Sequence, residues 1–312
     1  MFATLLGALP RPNGPTGQPV ADDDAAVVAV LAAQSAAGLE PLTDGRIRAG
    51  RSFWEPPRDT AAVVDAWQFA RSHADGLVKQ ALPGPYTLGR RGIGPDRDGS
   101  TLAFAGLLRD HVAALAGADC QMIEIDEPDA HLIGEDPEER RRFTEAHLAM
   151  LDGIDGVHLS LAVTGGNADT AGIETILAAP YASLAVNLID GPDNWRLVTR
   201  TPGDRGIICG VVSTKEGSDD APDLMLWAAA YASASEGRGA TRVGLGTAAG
   251  LAALPWDVAD RKMHALGEAA RLAQLPLSEV APHLDPRAID IRSAAMGRYV
   301  PRSRRHPRRP LP

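Results

Sequence analysis

The chain has 312 residues, 45% of them hydrophobic and 23% charged, with a formal net charge of −9. That length buries a full core, and the acidic balance argues against a broad nucleic-acid surface. No apolar run approaches the roughly 20 residues of a membrane span, and no signal-type leader opens the sequence, so a cytoplasmic protein without a membrane or nucleic-acid partner is expected.

Short apolar stretches alternate with longer amphipathic ones. A first strand is expected over 3–6, ending at Gly7-Ala8-Leu9-Pro10-Arg11-Pro12. A helix follows over 22–37, where Asp22, Asp23 and Asp24 favour the positive N-terminus. A second strand over 39–43 ends at Asp44-Gly45 and leads to a helix over 59–75. A third, 77–82, ends at Pro83-Gly84-Pro85-Tyr86-Thr87 and precedes a helix over 100–116. The fourth, 120–125, ends at Asp126-Glu127-Pro128 and precedes a helix over 137–151. The fifth, 157–163, ends at Thr164-Gly165-Gly166-Asn167, with a shorter helix over 170–178. The sixth, 184–189, ends at Asp190-Gly191-Pro192. The seventh, 207–212, ends at Ser213-Thr214-Lys215-Glu216 and precedes a helix over 222–236. The eighth, 242–245, ends at Gly246-Thr247-Ala248-Ala249-Gly250 and precedes a helix over 258–272.

Eight such strands predict a single α/β domain, a (β/α)8 TIM barrel over 1–300, with a basic, Pro- and Arg-rich, disordered tail over 301–312. An open doubly wound sheet would carry a glycine fingerprint after its first strand, and Gly7-Ala8-Leu9-Pro10 is not one. Cys120 and Cys209 lie in apolar strand runs and read as reduced core residues.

Polar side chains gather where the strands end, which in a barrel is the active-site face. Asp44, Tyr86, Asp126, Glu127, Asn167, Asp190 and Lys215 are therefore expected around one mouth. Glu124 interrupts the apolar run 122–125 and should point into the barrel or toward its mouth. Asp126, Glu127 and Glu124 are the candidates for acid–base work or for binding an amine. Arg46 and Arg48 are candidates for clamping an anionic substrate. Each has a plainer alternative: Asp126 as a loop cap, the arginines as surface partners of Asp44, Lys215 as a partner of Glu216. Tyr86 is a candidate ligand contact, and Trp54 and Trp256 read either as walls for a flat ring or as packing. His158 starts a strand and belongs at the opposite, bottom face.

Several strand ends together resemble the cobalamin-independent methionine synthase family. Gly7-Ala8-Leu9-Pro10-Arg11-Pro12 resembles its first-strand motif, and Leu42-Thr43-Asp44-Gly45 with Arg48 its second. Lys79 with Gly84-Pro85-Tyr86-Thr87 looks like the third. Ile123-Glu124-Ile125-Asp126-Glu127-Pro128 is the strongest match, close to Ile-Gln-Ile-Asp-Glu-Pro. Gly166-Asn167, the segment from Gly210 to Lys215, and Gly250-Leu251 with Ala259 and Lys262 resemble the later motifs. The matches keep their order along nearly the whole chain.

The resemblance implies a small-molecule substrate, an Asp126 contact to its amino group and a methylfolate donor. It also marks where this chain departs. The family holds zinc on a His and a Cys two apart on strand five, a Glu on strand six and a Cys before the Gly-Leu after strand eight. Here those positions are Ala162 and Thr164 (or His158 and Ser160 in another register), Asn187 or Leu188, and Ala249. At least three of four are residues that bind zinc poorly, so no zinc is expected. Ala8 replaces a Ser, and Arg46 replaces a Glu that would greet an ammonium. The expectation is a zinc-free methyl or other group transferase acting on an anionic or amino-acid-like substrate. A metal-independent lyase or decarboxylase, and a non-catalytic ligand-binding barrel, stay open beside it.

Overall fold

A computed structural model describes residues 1–92, 97–218 and 220–280. Its strands are short, apolar and parallel. β1 (Phe2–Thr4) is followed by α1 (Asp23–Ala36) and α2 (Thr60–Ser72). β2 (Gln80–Pro83) leads into α3 (Pro85–Arg91) and α4 (Arg97–Gly117), and β3 (Met122–Asp126) into α5 (Pro137–Leu151). β4 (His158–Val163), α6 (Ile173–Ile176), β5 (Ser183–Asn187) and α7 (Trp195–Arg200) come next. β6 (Gly206–Val212), α8 (Pro222–Ala234), β7 (Val243–Thr247), α9 (Trp256–Leu272) and α10 (Leu277–Val280) complete the described chain. None of these helices is long and apolar enough to cross a membrane. The expected basic tail, 301–312, lies outside the described residues.

Helix starts follow local chemistry. The Asp22 carboxylate accepts from the Ala25 amide at 2.8 Å, and Asp59 and Asp136 do the same for Ala61 and Glu138. Each satisfies an amide that the first helical turn leaves without a partner.

The seven strands form one parallel sheet in the order β1-β7-β6-β5-β4-β3-β2. The sheet curls until its edges β1 and β2 flank residues 40–42. Glu40 N donates to Ala3 O at 2.8 Å on one side, and on the other Leu42 N donates to Leu77 O at 2.7 Å while Lys79 N donates to Leu42 O at 2.9 Å. This corrects the second expected strand: 39–43 touches both edges but forms no ladder. Pro41 sits in its middle with no N–H to donate, and the Pro41 carbonyl is taken by the Thr4 hydroxyl at 2.8 Å.

Strand alternation sorts the side chains. Ile123 and Ile125 of β3 join the large core under the helices, whereas Met122 packs inside the curl with Leu6, Ala162, Ala185 and Ile208. Glu124 and Asp126 share the inward face with Met122. Cys120 and Cys209 are buried and unpaired by disulfide, and burial pushes their thiols up to about 11 and about 12.

Candidate functional site

The carboxyl ends of the strands meet at a mouth whose centre is a buried ion pair. Arg46 Nη2 donates to Asp126 Oδ2 at 2.8 Å, and Thr164 Oγ1 donates to Asp126 Oδ1 at 2.8 Å. Arg46 reaches Asp126 from an unusual turn. The Asp44 carboxylate accepts from Arg46 N at 2.9 Å, and both Gly45 (φ 66°) and Arg46 (φ 56°) are left-handed. For a long side chain that conformation costs on the order of 1 kcal/mol or more, so the surroundings must enforce it. They do: the guanidinium lies 3.6 Å over the Phe53 ring and is pinned by Asp126. Arg46 Nε is buried with no hydrogen-bond partner among the described residues.

A second charge pair lies next to the first. Lys79 Nζ donates to Glu124 Oε2 and to Leu5 O, each at 2.6 Å, and both side chains are almost fully buried. Burial holds the Lys79 ammonium below its usual range, and Glu124 opposes that shift. Glu124 thus faces inward as expected, and its ammonium partner is a lysine of the neighbouring strand.

Glu127 has a different task. Its Oε1 accepts from Tyr86 N at 2.8 Å and from His147 Nε2 at 3.0 Å, and its Oε2 accepts from Thr87 N at 2.8 Å and Thr87 Oγ1 at 2.5 Å. His147 Nδ1 lies 2.5 Å from the Tyr181 hydroxyl. Glu127 therefore caps the first turn of α3 from another part of the chain. Gly84 precedes that helix because a Cβ there would strike the Glu127 carboxylate. Tyr86 is buried in the same wall, where its hydroxyl donates to Glu139 at 2.6 Å and its ring meets Phe143 edge-on.

The remaining expected residues spread along the rim. Asn167 joins the loops after β4 and β5 through Asp193, donating to its carboxylate at 3.0 Å and accepting from its amide at 2.9 Å. Asp190 is exposed, accepts from Asn187 Nδ2 at 3.2 Å and faces the exposed Lys215 Nζ at 4.0 Å. Asp44 borders the Arg46 turn. Arg48 points away from the mouth, pairing with Asp24 at the start of α1 and stacking 4.0 Å over Phe69 of α2. The structure thus brings together Arg46, Asp126 and, beside them, Glu124. It does not bring Arg48, Tyr86 or the Glu127 carboxylate to the same point.

No family model matches the sequence, and no curated protein matches it either. Solved structures do. A B12-independent methionine synthase from Shewanella sp. W3-18-1, solved with selenomethionine, superimposes with a TM-score of 0.72 at 14% identity, covering 90% of this chain and 98% of that one. A protein from Listeria monocytogenes, provisionally assigned as a vitamin B12-independent methionine synthase, gives 0.67 at 17% identity, covering 87% and 97%. The chain has the fold of these proteins.

The zinc positions implied by the resemblance do not fit the metal. Ala162 is buried inside the curl, Thr164 is committed to Asp126, and Asn187 donates to Thr164 O at 3.1 Å and accepts from the Ile189 and Asp190 amides. Ala249 offers a methyl. A methyl, a hydroxyl and an amide stand where the resemblance implies thiolate, imidazole and carboxylate, and the Arg46 guanidinium lies beside Thr164 on Asp126. In the other register His158 lies at the amino end of β4, bonded to Ser183 Oγ at 2.9 Å, away from the mouth. Among the described residues no three His, Cys, Asp or Glu side chains converge.

Sequence reasoning missed three partners. Lys79 carried only a motif match, though a lysine in an apolar strand run signals a buried countercharge. His147 stands four residues after Phe143 on one face of α5, a spacing that marks it as inward. Thr164 was read only as a lost ligand, yet its hydroxyl orients Asp126.

Proposed function

We propose that the protein is a zinc-independent, methionine synthase-like (β/α)8 group transferase that binds a small amino-acid-like substrate at Arg46 and Asp126. The Arg46–Asp126 pair carries this reading. Opened by a zwitterion, it presents a planar fork of donors to the carboxylate and a carboxylate to the ammonium. The substrate then exchanges one internal ion pair for two. The unpaired Nε of Arg46 gives the fork a donor to spare, and the strained turn behind it is the kind of local cost that binding sites carry.

The donor that fits the fold likeness is a methylfolate. Transfer breaks the donor's N–CH3 bond and forms a bond from the methyl carbon to the acceptor. The acceptor gives up a proton, and the leaving nitrogen gains one. Asp126, held by Thr164, takes the acceptor proton once Arg46 has turned to the substrate. Positioning within the mouth supplies most of the acceleration. A decarboxylase would draw on Arg46 and Arg48 together around a carboxylate; Arg48 pairs with Asp24 and stacks on Phe69, which favours the transferase reading.

The test is a ¹³C-methyl-labelled methylfolate incubated with the protein, excess chelator and a panel of thiol and amine amino acids, followed by NMR. The reading expects a new labelled product whose rate falls roughly a hundredfold in Asp126→Asn and whose acceptor binding is lost in Arg46→Gln. It fails if none of the acceptors is methylated and none binds.

A further inference from the structure

Thr164, whose hydroxyl holds Asp126, is the first residue past β4 and lies outside the sheet. The β4–β5 ladder ends one rung earlier, at Val163 opposite Val186. The next rung would set Thr164 against Asn187, the last residue of β5. A side chain makes it instead. Asn187 Nδ2 donates to Thr164 O at 3.1 Å and to Asp190 Oδ2 at 3.2 Å. Asn187 Oδ1 accepts from Ile189 N at 3.0 Å and from Asp190 N at 2.9 Å. A primary amide has two N–H donors and one carbonyl with two lone pairs, so the group is fully used. Only 1% of Asn187 is exposed, so water offers these partners no substitute. Asn194, also buried, braces the same place from behind. Its Nδ2 donates to Asn187 O at 2.8 Å and to Gly166 O at 3.1 Å, and its Oδ1 accepts from Ala168 N at 2.8 Å.

These contacts continue into the mouth as one line: Lys215, Asp190, Asn187, Thr164, Asp126, Arg46. It crosses the loops after β6, β5, β4 and β3 and ends at the left-handed turn. Its outer end is loose, with Lys215 Nζ 4.0 Å from Asp190 Oδ1 and both side chains exposed. Its inner end is tight, at 2.8 Å on each oxygen of Asp126. A threonine side chain has few rotamers, so where its hydroxyl points follows from where its backbone is held.

We propose that Asn187 is a positioning residue for Asp126. By fixing Thr164 O it keeps the Thr164 hydroxyl on Asp126 Oδ1 and leaves Oδ2 to Arg46 and the substrate. The inference rests on the reading of Asp126 as the group that takes the acceptor proton. A displacement of about 1 Å at a reacting group costs about a hundredfold in rate. Asn187 acts through Thr164, with both of its N–H groups already spent, so its loss appears in kcat rather than in KM. Asp190 supports Asn187 directly and matters less; Lys215, at the loose end, matters least.

The experiment is a double-mutant cycle in the full chain, read by the labelled-methyl assay. Asn187→Ser keeps an oxygen for the Ile189 and Asp190 amides but is too short to reach Thr164 O, and Thr164→Val removes the hydroxyl. Each should lower kcat at least about tenfold with KM within roughly twofold, and the double variant should fall no further than either alone. Thr164→Ser should restore most of the rate. Asp190→Ala should lie between Lys215→Ala and Asn187→Ser, and it replaces Asn187→Ser in the cycle if that variant does not fold. A second readout needs no turnover: the Thr164 hydroxyl proton should give a slowly exchanging NMR signal in the wild type that is lost in Asn187→Ser or, failing that, weakened in Asp190→Ala. If no acceptor is methylated, the transferase reading falls and this signal alone decides the positioning. Wild-type kcat in Asn187→Ser, losses that multiply in the double variant, or a hydroxyl proton that stays protected overturns the proposal.

Discussion

Arg46 and Asp126 meet at 2.8 Å with only 6% and 4% of their side chains exposed, so neither charge can turn to solvent if the other is removed. Arg46→Ala strands a buried carboxylate and should cost about 3–5 kcal/mol. Arg46→Lys keeps the charge but loses the flat contact with Phe53, and should cost less, about 1–2 kcal/mol. Urea denaturation of the two variants checks the order. Equal midpoints for Arg46→Ala and the wild type would show that the pair is not formed in solution.

Glu127 accepts from two amides, one hydroxyl and one imidazole. Removing it in Glu127→Ala leaves several buried donors unsatisfied and should destabilise by at least about 3 kcal/mol. Hydrogen exchange should show α3 losing protection before the rest of the chain. A variant of wild-type stability that had lost only activity would instead return Glu127 to acid–base chemistry.

Glu139 sets an acid limit. Burial alone would raise its carboxyl, but the Tyr86 hydroxyl with Arg90 and Arg142 outweighs burial and brings its pKa below the usual range. A carboxylate shifted this way contributes stability above its unfolded pKa of about 4.3 and loses it as the pH falls further. Stability of the wild type should therefore drop more steeply than that of Glu139→Gln below about pH 4.3. Parallel slopes in thermal melts across that range would refute the assignment.

Two glycines make opposite predictions. A Cβ on Gly267 of α9 would collide with the Ala37 carbonyl, so Gly267→Ala should cost more than about 3 kcal/mol or prevent folding. Gly106 is exposed in the interior of α4 with open space around it, and Gly106→Ala should stabilise by about 0.5–1 kcal/mol. Melting temperatures of the pair test whether α9 packs directly onto the end of α1.

Elemental analysis of protein purified without chelators should find zinc far below one atom per chain, and added zinc should leave the denaturation midpoint unchanged. Stoichiometric zinc would mean that residues other than Thr164, Asn187 and the two alanines supply ligands.

The helices were largely legible because their signals are local. Asp136 and Pro137 mark the start of α5, and its range agrees from end to end with the periodicity. The inward side of β3 was legible too, because Glu124 interrupts an apolar run and does face into the curl. The segment 39–43 was not legible, since its apolar run looks like a strand while Pro41 denies it a ladder. Side-chain reach was the larger gap. Arg46 and Arg48 are two residues apart, yet only the left-handed turn at Gly45 and Arg46 sends one inward and leaves the other on Asp24. Tyr86 ends up in a wall because a helix, α3, begins at Pro85 where a loop was expected.

The pairing of β1 with β7 sets a schedule for biosynthesis. Leu6 N bonds Thr247 Oγ1 across a separation of 241 residues. At ~5–20 residues per second, a growing chain carries β1 for roughly 10–50 s before its neighbour exists. Throughout that interval the first strand is a bare edge, short enough at three residues to offer little to a wrong partner. The long wait is therefore harmless at this edge, and the yield of native protein should vary little with elongation rate.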